Sequence, residues 1–505
     1  GAAEGDESWQ SPRKIDRFFT QLNGEGWIFD RPMHVYVVAA DGTSAPRNLT
    51  PGEFQHHGVA WLPDNSGIVT SSQRHDTWDL DFATDLYCVC LDGTIERLTH
   101  GTGIYHHPSV AADGTVAFLG HDDPTTDPQN TRLGVLAGGS HRWLSAELDR
   151  TFETTAGTVA PVRTTAGWLS TAEDRGETHV WLVHDHGGAP SRITTGPITV
   201  KSMHAANGTT VYCAARVDGM TDVYSIDASG TTRQLTTFGE QYRSVAHPLT
   251  WERFVVPSTD GTVEIDAWIM RPAGFDPSRT YPVMLNVHGG PHTQYGETFF
   301  DEAQFQAKAG FVVVMCNPRG SSGREQSWGQ AILGPSHPVA PGKGWGSVDV
   351  DDVMAVLDAA LARFTFCDPD RVGMQGGSYG GYMATMLAGR FSHRFRAICT
   401  ERSVNNLLTE EFTSDISTIF KVEHGLSHLE AVEEYERMSP IRYVRDINCP
   451  VLIVHSEDDL RCPINQAEEL FVAMRLLGKD VTFYRFPGET HELSRSGSPV
   501  HRRQR

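Results

Sequence analysis

At 505 residues the chain exceeds one ordinary domain, and a hydrophobic content of 39% is enough for two or three sizeable cores. A net charge of −21 disfavours nucleic acid and anionic membrane surfaces as partners. Eight scattered cysteines lack metal-ligand spacing, and neither a secretory leader nor a transmembrane run is visible, so a reducing cytoplasm is the expected setting.

The first half is repetitive. Strand-like runs pass through turn residues and end in an aliphatic-Thr pair. Residues 35–39 lead through Asp41-Gly42-Thr43 to Leu49-Thr50, and residues 86–89 lead through Asp92-Gly93-Thr94 to Leu98-Thr99. A weaker copy ends at Trp143-Leu144, and two more end at Ile193-Thr194 and Leu235-Thr236. Successive aliphatic residues at 49, 98, 144, 193 and 235 lie 42 to 49 positions apart. An all-β period of this size, rich in Asp-Gly turns, predicts a β-propeller over residues 1–250 with about five visible blades. An irregular β-sandwich is the alternative. The doublets His56-His57 and His106-His107 sit at similar points of successive repeats. They are read as inherited repeat structure, and neither a metal nor a cofactor is expected.

The pattern changes near residue 250, and residues 251–505 read as a second domain. From Tyr281 onward short apolar strands alternate with amphipathic helices, which predicts a mostly parallel sheet covered on both faces. Ligands bind such sheets at the carboxyl ends of the strands. The run 283–287 reads as a buried strand ending in His288-Gly289-Gly290-Pro291, a loop able to present a backbone N–H to an oxyanion. An ordinary Gly-Pro turn explains that loop on its own. Residues 371–375 form a strand candidate, and residues 379–390 form a helix candidate. Between them Gly376-Gly377-Ser378-Tyr379-Gly380 fits G-x-S-x-G, the sharp turn that exposes a nucleophilic serine in α/β-hydrolases. The N–H of Tyr379, directly after the serine, is the second oxyanion donor candidate.

Serine needs a base, and the base needs a carboxylate to orient it. In this fold they follow in the order Ser, Asp, His. The apolar run 451–454 leads into His455-Ser456-Glu457-Asp458-Asp459-Leu460-Arg461-Cys462-Pro463, which supplies an acid just past a strand end. A helix candidate at 465–477 and a strand at 481–486 follow, then Pro487-Gly488-Glu489-Thr490-His491. His491 is the candidate base.

These motifs, in this order, resemble the prolyl oligopeptidase family of serine peptidases, in its acylaminoacyl-peptidase and dipeptidyl-aminopeptidase-like branch. Asn317-Pro318-Arg319-Gly320-Ser321, Thr400-Glu401-Arg402-Ser403 and the stretch from Phe486 to Arg495 carry the resemblance with those already quoted. It implies Ser378 as nucleophile, Asp459 rather than Asp458 as acid, His491 as base, and Gly290 and Tyr379 as oxyanion donors. Arg461 matches a position that holds substrate in relatives, and a structural ion pair explains it equally well. The implied activity is hydrolysis of short peptides, releasing acyl-amino acids or dipeptides through an acyl-enzyme, in a homo-oligomer without a cofactor.

The chain departs from the family pattern in three places. Relatives carry about seven blades, so either the chain begins inside the propeller or blades are missing. Residues 332–342 are a Pro-rich insertion read as a lid or cleavage point. No Glu-Glu pair of the kind that captures a free amino terminus is evident, Glu173 and Glu177 being weak substitutes. An esterase or broad amidase using the same residues is one alternative function; a binding protein with an idle hydrolase domain is another.

Overall fold

Five serine or threonine hydroxyls explain the rhythm of the first half. In the computed structural model, which describes residues 12–101 and 103–505, Thr50, Thr99, Ser145, Thr194 and Thr236 each accept a backbone N–H from a residue 12 to 15 positions earlier. Those N–H groups belong to Val35, Leu86, Leu133, Val180 and Val223. The preceding aliphatic residue donates its own N–H back to the carbonyl of the same strand residue in all five repeats. Leu49 and Leu144 are buried in the core while Leu235 of the last repeat is about half exposed, and in all five the next residue satisfies a backbone donor. The weak third copy carries Ser145 in place of threonine.

Four of these units are complete four-stranded blades. The first comprises His56–Trp61, Gly67–Ser72, Asp85–Cys90 and Ile95–Arg97; the second runs from Ile104–Val110 to Ser140–Trp143. The third and fourth, from Val162–Thr164 to Ser191–Arg192 and from Thr199–Ala206 to Thr232–Gln234, are joined by a parallel pairing of Thr178 with Thr199. The earliest repeat is only the pair Tyr36–Val37 and Arg47–Asn48. The aliphatic-Thr ending marks the outer strands of a blade, so a repeat with outer strands alone counts the same in sequence as a whole blade.

From Trp251 the chain builds one eight-stranded sheet in the order Trp251–Pro257, Glu264–Met270, Val312–Asn317, Tyr281–Val287, Cys367–Gly377, Ala397–Glu401, Val451–Ser456, Val481–Phe486. The first two strands run antiparallel to their neighbours and the other six are parallel. The helices Val348–Arg363 and Tyr379–Arg390 pack against the sheet over the largest hydrophobic cluster, in which Val283, Leu285, Val314, Leu357, Met383 and Ile453 are fully buried. Among the described residues no helix is long and apolar enough to cross a membrane. All eight cysteines are unpaired.

The two domains meet tightly at the turn between Gly167–Asp174 and Glu177–Val183. Gly176 takes φ 88°, and a Cβ there would come within 2.5 Å of the Trp268 ring. Its carbonyl accepts the N–H of Glu297 at 2.7 Å. Beside it Arg175 grips the buried carboxylate of Asp266 through Nη2 at 2.8 Å and Nε at 3.0 Å. This seam holds the third blade over the carboxyl ends of the sheet strands.

Candidate active site

The strand Cys367–Gly377 stops at Ser378, whose φ of 62° and ψ of −123° form a strained turn into the helix Tyr379–Arg390. The flanking glycines are a steric requirement. A Cβ on Gly376 would meet the Gly380 carbonyl oxygen at 2.3 Å, and one on Gly380 would meet the Val287 oxygen at 2.1 Å. Ser378 N donates to the Glu401 carbonyl at 2.9 Å, which pins the turn to the neighbouring strand. Tyr379 opens the helix, where N–H groups have no partner within the helix and the dipole is positive.

The His288-Gly289-Gly290-Pro291 loop lies against this turn: a Cβ on Gly289 would stand 3.3 Å from Ser378 Cβ. Gly290 has φ 118°, open only to glycine, and a Cβ there would strike His292 N at 2.8 Å. Thr293 Oγ1 donates to the Gly289 carbonyl at 2.6 Å, and the His288 ring contacts Ser321 Oγ at 3.0 Å. Burial brings the His288 pKa down to about 4, so this histidine stays neutral and structural.

Asp459 and His491 follow the strands Val451–Ser456 and Val481–Phe486. Asp459 Oδ2 lies 2.8 Å from His491 Nδ1, and Oδ1 accepts the N–H groups of Arg461 at 3.0 Å and Cys462 at 2.9 Å. The backbone N–H of Asp458 donates to the Glu489 carbonyl, and it is the Asp459 carboxylate that meets the His491 ring. Burial pushes the Asp459 carboxyl up to about 6. Burial, then the cations Arg402 and Arg461, hold the His491 imidazole well below its ordinary range. The resting histidine is therefore neutral and free to accept a proton at Nε2.

Ser378, Tyr379, Gly290, His491 and Arg461 all line one cavity of about 580 Å³ between the domains. Arg461 serves the ion pair that its sequence left open: Nε reaches Asp415 Oδ1 at 2.7 Å while the side chain faces the cavity. Glu173 and Glu177 do not line it. Glu173 is buried, accepts Thr155 N at 2.6 Å and takes a hydrogen bond from Ser322 Oγ; Glu177 contacts the His179 ring at 2.8 Å. The propeller wall is formed by Thr155, Ala156, Gly176, Thr178, Thr199 and Lys201.

Three features escape the sequence reading. The helices Leu407–Thr413 and Ser417–His424 form an apolar wall with Val404, Ile416, Ile419 and Phe420. That wall also carries Glu410 and Glu423, whose carboxyls burial raises well above the usual range. Neither oxygen of Glu410 has a nitrogen or oxygen donor, and the Cys462 thiol is its neighbour. The insertion 332–342 is not a free lid. Gly334 N donates to the Glu423 carbonyl at 3.0 Å and the buried His337 ring meets the Val422 carbonyl at 3.0 Å, so the insertion buttresses the wall helix.

The third feature is Asn23, in the short hairpin of Gln21–Leu22 and Gly26–Trp27. Its Oδ1 accepts the backbone N–H of His491 at 3.1 Å and of Leu460 at 3.3 Å, and its own N–H donates to Asp415 at 2.7 Å. One side chain ties the two loops that carry the acid and the base. Leaving one such donor unmet costs about 1–3 kcal/mol. Asn23→Ala is expected to lower kcat roughly 10-fold or more with little change in KM, as read by steady-state kinetics. An unchanged kcat would show that the loops hold their places without it.

Comparison with known proteins agrees with this geometry. Residues 297–505 match the model of the prolyl oligopeptidase family. An uncharacterized peptidase, YuxL, of Bacillus subtilis (strain 168) is 35% identical over 343 residues, covering 67% of this chain and 50% of the relative. Dipeptidyl-peptidase 5 of Porphyromonas gingivalis is 24% identical over 446 residues, covering 86% of this chain and 63% of the relative. The chain thus spans between half and two thirds of the length of these curated relatives. The solved structure of Pyrococcus horikoshii acylaminoacyl peptidase superposes with a TM-score of 0.83 at 23% identity, covering 100% of this chain and 76% of that one, and shares the fold of propeller and α/β-hydrolase domain. Residues 297–505 thus form a domain of the prolyl oligopeptidase family.

Proposed function

We propose that the chain is a serine peptidase of short peptides that prefers a blocked amino end. The observation that carries this reading is the hydrogen bond of 2.8 Å between His491 and Asp459 in the cavity that Ser378 lines. Ser378 Oγ attacks the scissile carbonyl and His491 Nε2 takes its proton. Asp459 holds the Nδ1–H tautomer and stabilises the imidazolium. The N–H groups of Gly290 and Tyr379 receive the oxyanion, each worth roughly 3 kcal/mol in the transition state. His491 then protonates the leaving amine, and water releases the acyl group by the same steps in reverse.

The cavity lies beneath the third blade, which supports short substrates over folded proteins. Its propeller wall carries no carboxylate among the described residues, and its one charged side chain is the cation Lys201. A free terminal ammonium brought to that wall loses hydration without gaining a partner from it, since the carboxyl groups of the cavity, Asp301, Glu302, Glu410, Glu423 and Glu492, all belong to the hydrolase domain; an acylated end carries no such cost. The Pyrococcus horikoshii structure is of an acylaminoacyl peptidase by name. The name of the Porphyromonas gingivalis relative is the reason to test dipeptide release beside it.

A peptide library with acetylated and free ends, read by mass spectrometry, tests this preference. Acetylated members are expected to be cut about 10-fold faster or more, given the unpaired ammonium. Faster release of dipeptides from free ends would reverse the assignment. If p-nitrophenyl esters turn over while peptidyl anilides do not, the esterase reading replaces it.

The apolar wall favours a large hydrophobic residue on the acyl side of the cut bond, with Glu410 receiving a donor at its depth. Glu410→Leu is expected to raise kcat/KM for Phe relative to Tyr or Gln at that position by roughly 10-fold, since a buried donor then lacks an acceptor. An unchanged ratio would remove Glu410 from substrate selection. Unpaired cysteines and the charge of −21 support a cytoplasmic setting with neither nucleic acid nor membrane as partner. Assembly into a homo-oligomer completes the reading, and sedimentation velocity tests it.

A further inference from the structure

The propeller holds a second constellation that peptide hydrolysis does not use. In the second complete blade the inner strand Ile104–Val110 pairs with Val116–His121 through a bulge. His106 faces Leu119 and Ser109 faces Ala117, so His107 and Pro108 share one opposing residue, Phe118. The first complete blade has the same bulge, with His57 facing Ser71 and Ala60 facing Val69. In that register Gly58, at φ 67°, corresponds to His107, at φ 50°. The two histidine doublets are therefore out of step by one residue. His57 corresponds to His106, but His107 stands where the equivalent blade uses glycine. Inheritance of the repeat accounts for the first histidine of the pair and not for the second, which holds a left-handed conformation that residues with a Cβ disfavour.

The bulge has a geometric consequence. Consecutive residues of a regular strand point to opposite faces. Here the rings of His106 and His107 turn together, with centroids 4.9 Å apart. Glu153, in the segment leading to the third blade, brings Oε2 to 3.4 Å from His106 Nε2. One ligand atom from each of His106, His107 and Glu153 lies within 4.8 Å of the other two. The His106 Nε2 atom is buried and has no hydrogen-bond partner. Glu153 is about half exposed, which leaves solvent a route to the three donors.

We propose that His106, His107 and Glu153 form a binding site for a divalent transition cation of the zinc class, with water completing its coordination. Two imidazoles and one carboxylate are a donor set that zinc accepts, with a position left for solvent. The ion would fasten the inner strand of the second blade to the segment entering the third, the blade that covers the active-site cavity. It takes no part in the serine chemistry.

The test uses the full chain, dialysed against a chelator and then titrated with ZnCl2 by calorimetry, with CoCl2 absorption as a second readout. The decisive variant is His107→Gly, because Gly58 already occupies the matching position of the same bulge. It is expected to fold and to hydrolyse substrate as the parent does. The parent should take up one equivalent of Zn2+. His107→Gly should bind it at least 100-fold more weakly, and Glu153→Gln should fall between the two. Equal affinity and stoichiometry in the parent and His107→Gly would overturn the site, as would a parent that takes up no Zn2+ at millimolar concentration.

Discussion

Ser378→Ala is expected to lower kcat on the order of 10⁵–10⁶-fold while leaving KM and thermal stability close to those of the parent. The size of the effect follows from the way the site divides its work. Without the hydroxyl there is no nucleophile, and His491 has no proton to accept. The oxyanion donors of Gly290 and Tyr379 and the cavity wall remain, so substrate still binds and a small residual rate persists. Stability is spared because the turn is set by backbone: Ser378 N still reaches the Glu401 carbonyl, and the flanking glycines keep their clearance. Burst and steady-state kinetics on a blocked peptidyl anilide check this. A loss below about 100-fold would mean that another residue attacks the carbonyl.

Asp459→Asn is expected to lower kcat about 10⁴-fold, because an amide lets His491 adopt the wrong tautomer and leaves the imidazolium unsupported. The pH dependence supplies a second readout. Burial puts the Asp459 carboxyl at about 6. The parent's kcat/KM should therefore fall as pH drops through about 6, where the Asp459–His491 pair gains a proton, and be level above it. That acid limb should vanish in Asp459→Asn. The sign for stability runs the other way. A carboxyl whose pKa rises on folding makes the folded chain the stronger proton binder, so it costs stability as pH climbs from the ordinary value of 3.8 to about 6. The variant lacks that cost and should lose activity without a matching loss of melting temperature at pH 7. An acid limb retained in Asp459→Asn would assign it to another group.

What was legible in the sequence was whatever local sterics or local repetition impose. The Gly376 to Gly380 turn is readable because a Cβ on Gly376 or on Gly380 would meet a backbone oxygen closer than 2.5 Å. The placement of Asp459 and His491 is readable because both follow strands, and strand ends are where such a sheet gathers its chemistry. The aliphatic-Thr endings are readable because a single hydroxyl repeats a single task. Contacts that depend on register or on distance along the chain left no comparable mark. Asn23 meets His491 across 468 positions, with nothing in its neighbours to announce it. The one-residue offset of the histidine doublets appears only when the bulges are aligned. The wall helices at 407–424 are short and mixed in polarity, and their inward faces are defined by the insertion that props them. Arg461 stayed ambiguous because one side chain serves both an ion pair and the cavity wall.

Adduct mapping decides whether Ser378 is the nucleophile that His491 activates. The enzyme is treated with diisopropyl fluorophosphate, digested, and its peptides are weighed. A single adduct on the peptide containing Ser378, formed in step with loss of activity and much more slowly in Asp459→Asn, is the predicted result. An adduct on another residue, or full inactivation with Ser378 unmodified, would contradict it.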